Sequence, residues 1–295
     1  SQAPNTTFAQ MGCPAPVEEA LKALLSLPQG MLLVTGPTGS GKSTTLYSTL
    51  NRLAESGINI ITVEDPIESV HEGFNQMVLQ PSLGVTFEAA IRHIVRQAPD
   101  VIMVGEIRDK ESVEHTIQAA LTGHLVISTL HTDDAPSAVV RLVNMGAQPF
   151  FVESTVIAVV AQRLIRRICD NCAKPYHLSQ ADIDALDCPE TTPGEFPLRK
   201  GAGCEKCRGT GYLGQTALFE LMELTDEIRD LIHNNAGAYA IRQAAIQHGM
   251  RPLKAQAIAK MKAGLTTCEE ILRVTGELKA EIPHKFQSKI FLSPR

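Results

Sequence analysis

Residues 31–44 read Met31-Leu32-Leu33-Val34-Thr35-Gly36-Pro37-Thr38-Gly39-Ser40-Gly41-Lys42-Ser43-Thr44, an apolar run that passes into a glycine-rich loop and then a helix start. The run before the loop has no polar face, the pattern of a central strand in a parallel sheet. Gly36, Gly39 and Gly41 let the backbone curl with its N–H groups inward, making a nest for phosphate oxygens. Lys42 can reach the β- and γ-phosphates, and the Ser43 hydroxyl is placed to ligate magnesium. A helix over 42–54 turns its positive end toward the same phosphates. A glycine-rich turn without function needs neither the strand, the helix nor the Lys-Ser pair. The stretch 36–44 is a Walker A loop for a nucleoside triphosphate.

Working outward, 295 residues leave room for one large domain and an appendage. An apolar content of 44% and a charged content of 20% are ordinary for a globular protein. The net charge of −5 argues against a partner bound through bulk positive charge, such as nucleic acid. No apolar run approaches the roughly 20 residues of a bilayer span. The start, Ser1-Gln2-Ala3-Pro4-Asn5, lacks a signal-peptide pattern and an initiator Met, so the expectation is a piece of a longer, unexported protein. Seven cysteines in such a chain point to metal binding or free thiols before disulfides.

Residues 1–16 are polar with three prolines and read as a linker. Apolar spacing predicts a helix over 17–27, and after the loop and its helix a strand over 58–63. Helices over 86–97 and 109–121 alternate with strands over 101–104 and 125–129. Such alternation predicts an α/β fold with a mainly parallel sheet. Residues 166–215 carry four paired cysteines and little periodicity, and 225–274 is helical again. The expected order is therefore linker 1–16, core 17–165, cysteine subdomain 166–215, helical subdomain 216–275 and an unassigned tail 276–295.

Hydrolysis needs an acid on the metal shell and a base or positioner for water, and strand ends near the phosphate loop are where an α/β sheet puts them. Glu106 follows the apolar strand Val101-Ile102-Met103-Val104 through Gly105, the form of a second nucleotide motif. A Glu where Asp is usual implies reach to magnesium through a bridging water. Glu64 ends the neighbouring strand in Thr62-Val63-Glu64-Asp65-Pro66-Ile67-Glu68, and Pro66 keeps the preceding residue out of the helical region. Singly, each acid could be a solvated strand-end carboxylate. His124 and His131 bracket the third strand, either as a pair of structural histidines or as sensors of the γ-phosphate. Arg92, Arg96 and Arg108 are candidates for closing on the phosphates, within the chain or across a subunit boundary.

Cys169-Asp170-Asn171-Cys172 and Cys204-Glu205-Lys206-Cys207 are two CxxC knuckles, each able to offer two thiolates to one tetrahedral ion. A redox CxxC would stand singly at a strand–helix junction, so structural zinc is favoured. Cys13, Cys188 and Cys268 have no such partner and read as free thiols.

With these motifs in place, the chain resembles the secretion ATPase superfamily, the motors of type II secretion and type IV pilus assembly. The likeness spans about Met11 to Val274. It rests on the loop 36–44, an acidic box over 62–68, the Gly-Glu second motif over 100–109 and a histidine box over 122–133. The tetracysteine segment resembles that of secretion and pilus-extension motors, whereas retraction motors lack it. The resemblance implies a RecA-like P-loop core binding ATP or ADP with Mg2+, and a structural Zn2+. It implies that Glu64 orients or deprotonates the attacking water, that Glu106 serves the magnesium shell, and that both histidines sense the γ-phosphate. It further implies a homo-hexamer at the cytoplasmic face of the inner membrane, working with platform and adaptor proteins. Arginines from a domain ahead of the motor usually complete the site, which implies low activity for the motor alone. The chain departs from the family's habits at Ala98, where Asp is frequent, and over 254–257. A nucleic-acid translocating motor with a zinc ribbon is the alternative, but four Tyr, nine Phe and no Trp leave little stacking surface for it.

Overall fold

The computed structural model describes residues 6–55, 57–186 and 198–276; Cys188 and the tail beyond 276 lie outside them. The elements begin with α1 (Phe8–Met11), α2 (Ala15–Leu25), β1 (Gly30–Thr35), α3 (Lys42–Ala54), β2 (Ile60–Glu64) and β3 (Asn75–Val78). They continue with α4 (Phe87–Ile94), β4 (Val101–Val104), α5 (Lys110–Leu121), β5 (Leu125–Leu130), α6 (Ala135–Asn144) and α7 (Pro149–Thr155). Then come β6 (Val156–Ile168), β7 (Ala173–Tyr176), α8 (Gln180–Leu186), β8 (Leu198–Gly201) and β9 (Tyr212–Glu223). The described chain closes with α9 (Asp226–His233), α10 (Ala238–Gln247), α11 (Leu253–Lys262) and α12 (Cys268–Thr275).

Seven strands form one sheet in the order β3-β2-β4-β5-β1-β6-β9. Pairing is parallel between β1 and both β5 and β6, between β2 and both β3 and β4, and between β4 and β5. Every residue of β1, β2, β4 and β5 is buried, which is why these strands read as mostly apolar runs, with Thr62 and Glu64 of β2 sharing one buried face. Parallel strands need helical crossovers, and side-chain caps start several of these helices. Asp109 accepts from the Ser112 N–H at 2.9 Å to open α5, and Asp134 accepts from the Ser137 N–H at 2.9 Å to open α6. Because β1 and β5 run parallel, their carboxyl ends deliver the loop 36–44 and residues 131–134 to the same edge.

The contacts divide the chain into two compact units, one of Ser1–Gln162 with Glu220–Met250 and the other of Arg163–Phe219 with Arg251–Arg295. The sequence-based order runs its subdomains consecutively, whereas the units interleave. The helical stretch after β9 is split between them, with α9 and α10 in the first unit and α11 and α12 in the second. Periodicity shows where a helix is, and only long-range packing shows which core it joins. The segment read as a linker also holds structure: Thr7 and Gln10 cap α1 reciprocally, and Phe8 is buried. The helix expected over 86–97 is α4 followed by a tighter 3-10 turn, Val95–Gln97.

Inside the second unit, Glu270 is fully buried and accepts hydrogen bonds from the Arg166 N–H and guanidinium and from the Arg273 guanidinium, at 2.5–2.9 Å. Burial alone would raise its pKa, but these donors outweigh it and hold the carboxyl at about 2, below the ordinary 4.5. A depressed carboxylate pKa contributes stability above pH 4.5 that is lost as pH falls toward 2. With both guanidiniums partly solvated, the contribution is about 2 kcal/mol. Glu270→Gln is therefore expected to lower the thermal midpoint at pH 7 and to flatten its fall between these limits, as read by circular dichroism. An unchanged acid profile would count against this assignment.

Candidate nucleotide site and metal centre

The loop between β1 and α3 closes around Lys42. Its Nζ, almost buried, donates to the carbonyls of Gly36 at 2.8 Å and Pro37 at 3.1 Å. Burial pushes the Lys42 pKa down, and the carboxylates of Glu106 and Glu68 pull it part of the way back. Gly36 has φ +150°, and a Cβ there would stand 2.3 Å from the Gln162 carbonyl and 2.6 Å from Ser40 Oγ. Only glycine fits this cradle. Ser40 Oγ is buried in it with no hydrogen-bond partner among the described residues, so a polar ligand is what would satisfy it. Gly41 serves as the N-cap of α3 in the left-handed conformation, leaving the first N–H groups of that helix without a side-chain cap. Pro37, Thr38 and Gly39 are exposed along the rim, with Ser43 half-buried and Thr44 exposed at the start of α3.

Beyond Lys42 the side chains form a line. His131 Nδ1 lies 3.5 Å from Lys42 Nζ, and His131 Nε2 lies 3.1 Å from Glu106 Oε2. Glu106 Oε1 accepts from Arg108 Nε at 2.6 Å, and the Arg108 guanidinium also pairs with Asp65 at 3.1 Å. Burial raises the Glu106 pKa, but hydrogen bonds from Arg108 and His131 prevail and hold it below its usual value. Glu106 therefore stays an anion beside the phosphate loop. Ser43 and Glu106 offer a hydroxyl and a carboxylate, the hard oxygen donors that suit magnesium.

Glu64 sits on the neighbouring strand, almost fully buried. Tyr47 donates to its Oε2 at 2.5 Å, and Thr62 and Gln76 donate to its Oε1 at 2.7 and 3.0 Å. The following Asp65–Pro66 peptide is cis. Gly105 runs alongside, with its N–H on the Val63 carbonyl at 2.8 Å, which brings Glu64 and Glu106 to adjacent strand ends. Thr62 could have been found in the sequence, because residues two apart on a strand share a face. Tyr47 and Gln76 could not, since their approach depends on how α3 and β3 pack.

Several sequence candidates lie elsewhere. His124 precedes β5, and its carbonyl accepts from the N–H of Gly30, the first residue of β1. The phosphate loop follows the last residue of β1, so His124 stands at the opposite edge of the sheet. Its Nδ1 lies 3.1 Å from both the Ala119 carbonyl and Thr122 Oγ1, a local structural role. Two histidines seven residues apart across a six-residue strand cannot serve one edge, and only His131 reaches the site. Arg92 pairs with Glu88 one turn back on α4, and Arg96 is exposed in the turn leading to the start of β4. Neither is joined to the side chains beside the phosphate loop within this chain, whereas Arg108 pairs with Glu106 and Asp65 there.

In the second unit, the four cysteine sulfurs of Cys169, Cys172, Cys204 and Cys207 lie within 4.8 Å of one another. The Cys169–Cys204, Cys172–Cys207 and Cys204–Cys207 separations are 3.9, 3.8 and 3.7 Å. Zinc with four sulfurs at about 2.3 Å sets tetrahedral edges of about 3.8 Å, so the donor set fits that ion. Backbone N–H groups of Cys204 and Gly211 donate to Cys207 Sγ at 3.2 and 3.3 Å. Asn171 donates to Cys204 Sγ at 3.3 Å, and this bond leads the effects that bring the Cys204 thiol to about 6. The two chain segments nearly touch: a Cβ on Gly201 would fall 2.0 Å from the Gly211 carbonyl oxygen. Cys13 and Cys268 are unbridged and buried.

A RecA-like sheet with a phosphate loop at the carboxyl edge of β1 and two acids at the neighbouring edges defines a P-loop nucleotide-binding protein. The chain belongs to the family described as Type II/IV secretion system protein, which matches residues 1–273. It is 47% identical over 253 residues to the type IV pilus assembly ATPase PilB of Myxococcus xanthus, covering 85% of this chain and 44% of that protein. It is 43% identical over 267 residues to the type II secretion system ATPase E of Vibrio cholerae, covering 90% of this chain and 52% of that protein. The chain thus spans about half the length of these curated relatives. Among solved structures, the pilus retraction motor PilT with bound ADP superposes with a TM-score of 0.68 at 29% identity, over 93% of this chain and 68% of that one. No described helix is long and apolar enough to cross a membrane.

Proposed function

We propose that this chain is the motor portion of an ATPase that powers type II protein secretion or type IV pilus assembly, hydrolysing ATP to ADP and phosphate as one of six subunits in a ring. The observation that carries the reading is the line Lys42–His131–Glu106 beside the buried Glu64, at one sheet edge. Lys42 and the loop amides hold the phosphates, His131 links the phosphate end to the metal-shell acid, and Glu64 takes a proton from the attacking water or orients it. Ser43 and Glu106 would hold magnesium, Glu106 through a water, and magnesium would neutralise charge on the β- and γ-phosphates. The relatives' names favour secretion and pilus assembly over a nucleic-acid motor. The same kinship supports action at the inner membrane with platform and adaptor proteins.

Phosphate release by the intact protein, with and without its membrane platform and with and without DNA, tests the reading. Turnover that responds to the platform and ignores DNA is expected. Strong DNA stimulation with no response to the platform would overturn it. For the metal, the four cysteines would hold one structural zinc that ties the two knuckles together. Elemental analysis of reduced protein is expected to give about one zinc per chain, falling to about zero in Cys207→Ser with a lower thermal midpoint. Folded, reduced protein free of zinc would remove the assignment.

A further inference from the structure

Both oxygens of Glu64 are engaged, and the carboxylate is 4% exposed. The three donors fill most of the carboxylate's roughly four acceptor positions, and its burial restricts the approach of a water to what remains. Thr62 is a neighbour on the same strand, but the other two donors belong to a larger arrangement. Tyr47 extends from α3, the helix that begins at the phosphate-binding Lys42. Its ring stacks on His71 at 4.6 Å between centroids, and His71 stacks in turn on Phe74 at 4.9 Å. Burial, and then the bond to Glu64, raise the Tyr47 pKa, so its proton stays on the phenol and Tyr47 remains the donor.

Gln76, on the edge strand β3, spends its whole carboxamide on this region. Its Nε2 donates to Glu64 Oε1 at 3.0 Å and to the Ser69 carbonyl at 2.9 Å, and its Oε1 accepts from the His71 N–H at 2.8 Å. The chain between Glu64 and β3 is thereby tied to the carboxylate at Ser69 and His71. That same loop presents Val70 with 68% of its surface exposed.

We infer that Tyr47 and Gln76 form a latch that withholds Glu64 from water, and that the loop 65–74 is the handle that releases it. The inference rests on Glu64 being the group that acts on the attacking water. The latch explains how a motor can hold ATP without hydrolysing it: displacing the loop takes Gln76 with it and leaves Oε1 with Thr62 as its one remaining donor among those named, opening a position for water. Tyr47 and Gln76 are positioning residues, since both act through Glu64.

The test measures steady-state ATP turnover of the intact protein for Tyr47→Phe and Gln76→Leu. Tyr47→Phe removes one oxygen and keeps the ring stack, and Gln76 lies half-exposed on an edge strand, so both changes leave the core intact. Each variant is expected to raise kcat by at least about threefold with KM for ATP unchanged, because a freed base acts on a step after binding. The gain is expected to vanish when either is combined with Glu64→Gln. A fall in kcat in both variants, or a rise that persists without Glu64, overturns the latch. Glu64→Gln alone separates the two failures. If it is inactive while the latch variants turn over no faster than the parent, the latch alone is wrong. If it turns over at the parent rate, the assignment of Glu64 falls and the latch with it.

Discussion

Lys42→Ala is expected to weaken ATP binding by at least about 100-fold, the loss of roughly two charge-assisted hydrogen bonds. The reason lies in how the ammonium is held. Its Nζ already bridges the Gly36 and Pro37 carbonyls, so the loop keeps a positive charge at its centre before any phosphate arrives. Alanine removes that charge and leaves both carbonyls, together with His131 Nδ1, without the group they face. The variant loses the attraction for phosphate and the internal brace of the loop together. Titration calorimetry with ATP, alongside a thermal-unfolding control, measures the effect. Binding within about threefold of the parent by a folded Lys42→Ala would place the phosphates elsewhere.

Glu64→Gln separates binding from chemistry. The side chain keeps its size and polar character but loses its charge and most of its basicity. Its three donors, Tyr47, Thr62 and Gln76, retain a carbonyl oxygen to bond, while the new amide nitrogen competes with at least one of them. ATP affinity is expected to stay within a few-fold, while kcat falls by at least about 100-fold, the usual contribution of a general base. Single-turnover phosphate release from preloaded ATP reads the chemical step directly. Normal release by this variant would leave water activation to another group, with Glu106, beyond the end of the adjacent strand β4, the next candidate.

The parts of this fold that the sequence discloses are those that a single local pattern dictates. β1, β4 and β5 are buried on both faces and read as apolar runs, and the phosphate loop states its geometry through its glycines. The edge strand β3 is short and polar, and β6 carries Gln162, Arg163, Arg166 and Arg167, so neither shows a strand pattern. In the site, Lys42, Glu64, Glu106 and His131 announce themselves by their place after strands. His124 is misleading because a histidine looks alike at either end of a strand, and only the direction of the chain separates the two. Tyr47 and Gln76 are hidden because one is read as helix core and the other falls in a segment without periodicity. Their importance arises from a carboxylate they approach through packing.

The interleaved units bear on how such a chain can vary. β6 carries the backbone out of the first unit, its sheet neighbour β9 carries it back, and a last crossing follows Met250. The cysteine-bearing segment 163–219 is thus a looped excursion, yet it does not stand alone. Arg166 satisfies the buried Glu270, and the Phe219 backbone pairs with Gln256, both across the return to the first unit. Grafting 163–219 from a relative with no arginine at position 166 would leave Glu270 short of a guanidinium in a dry core. The two stretches are heritable only as a matched set, and chimeras joined at Gln162, Phe219 and Met250 are the ones that keep both cores whole.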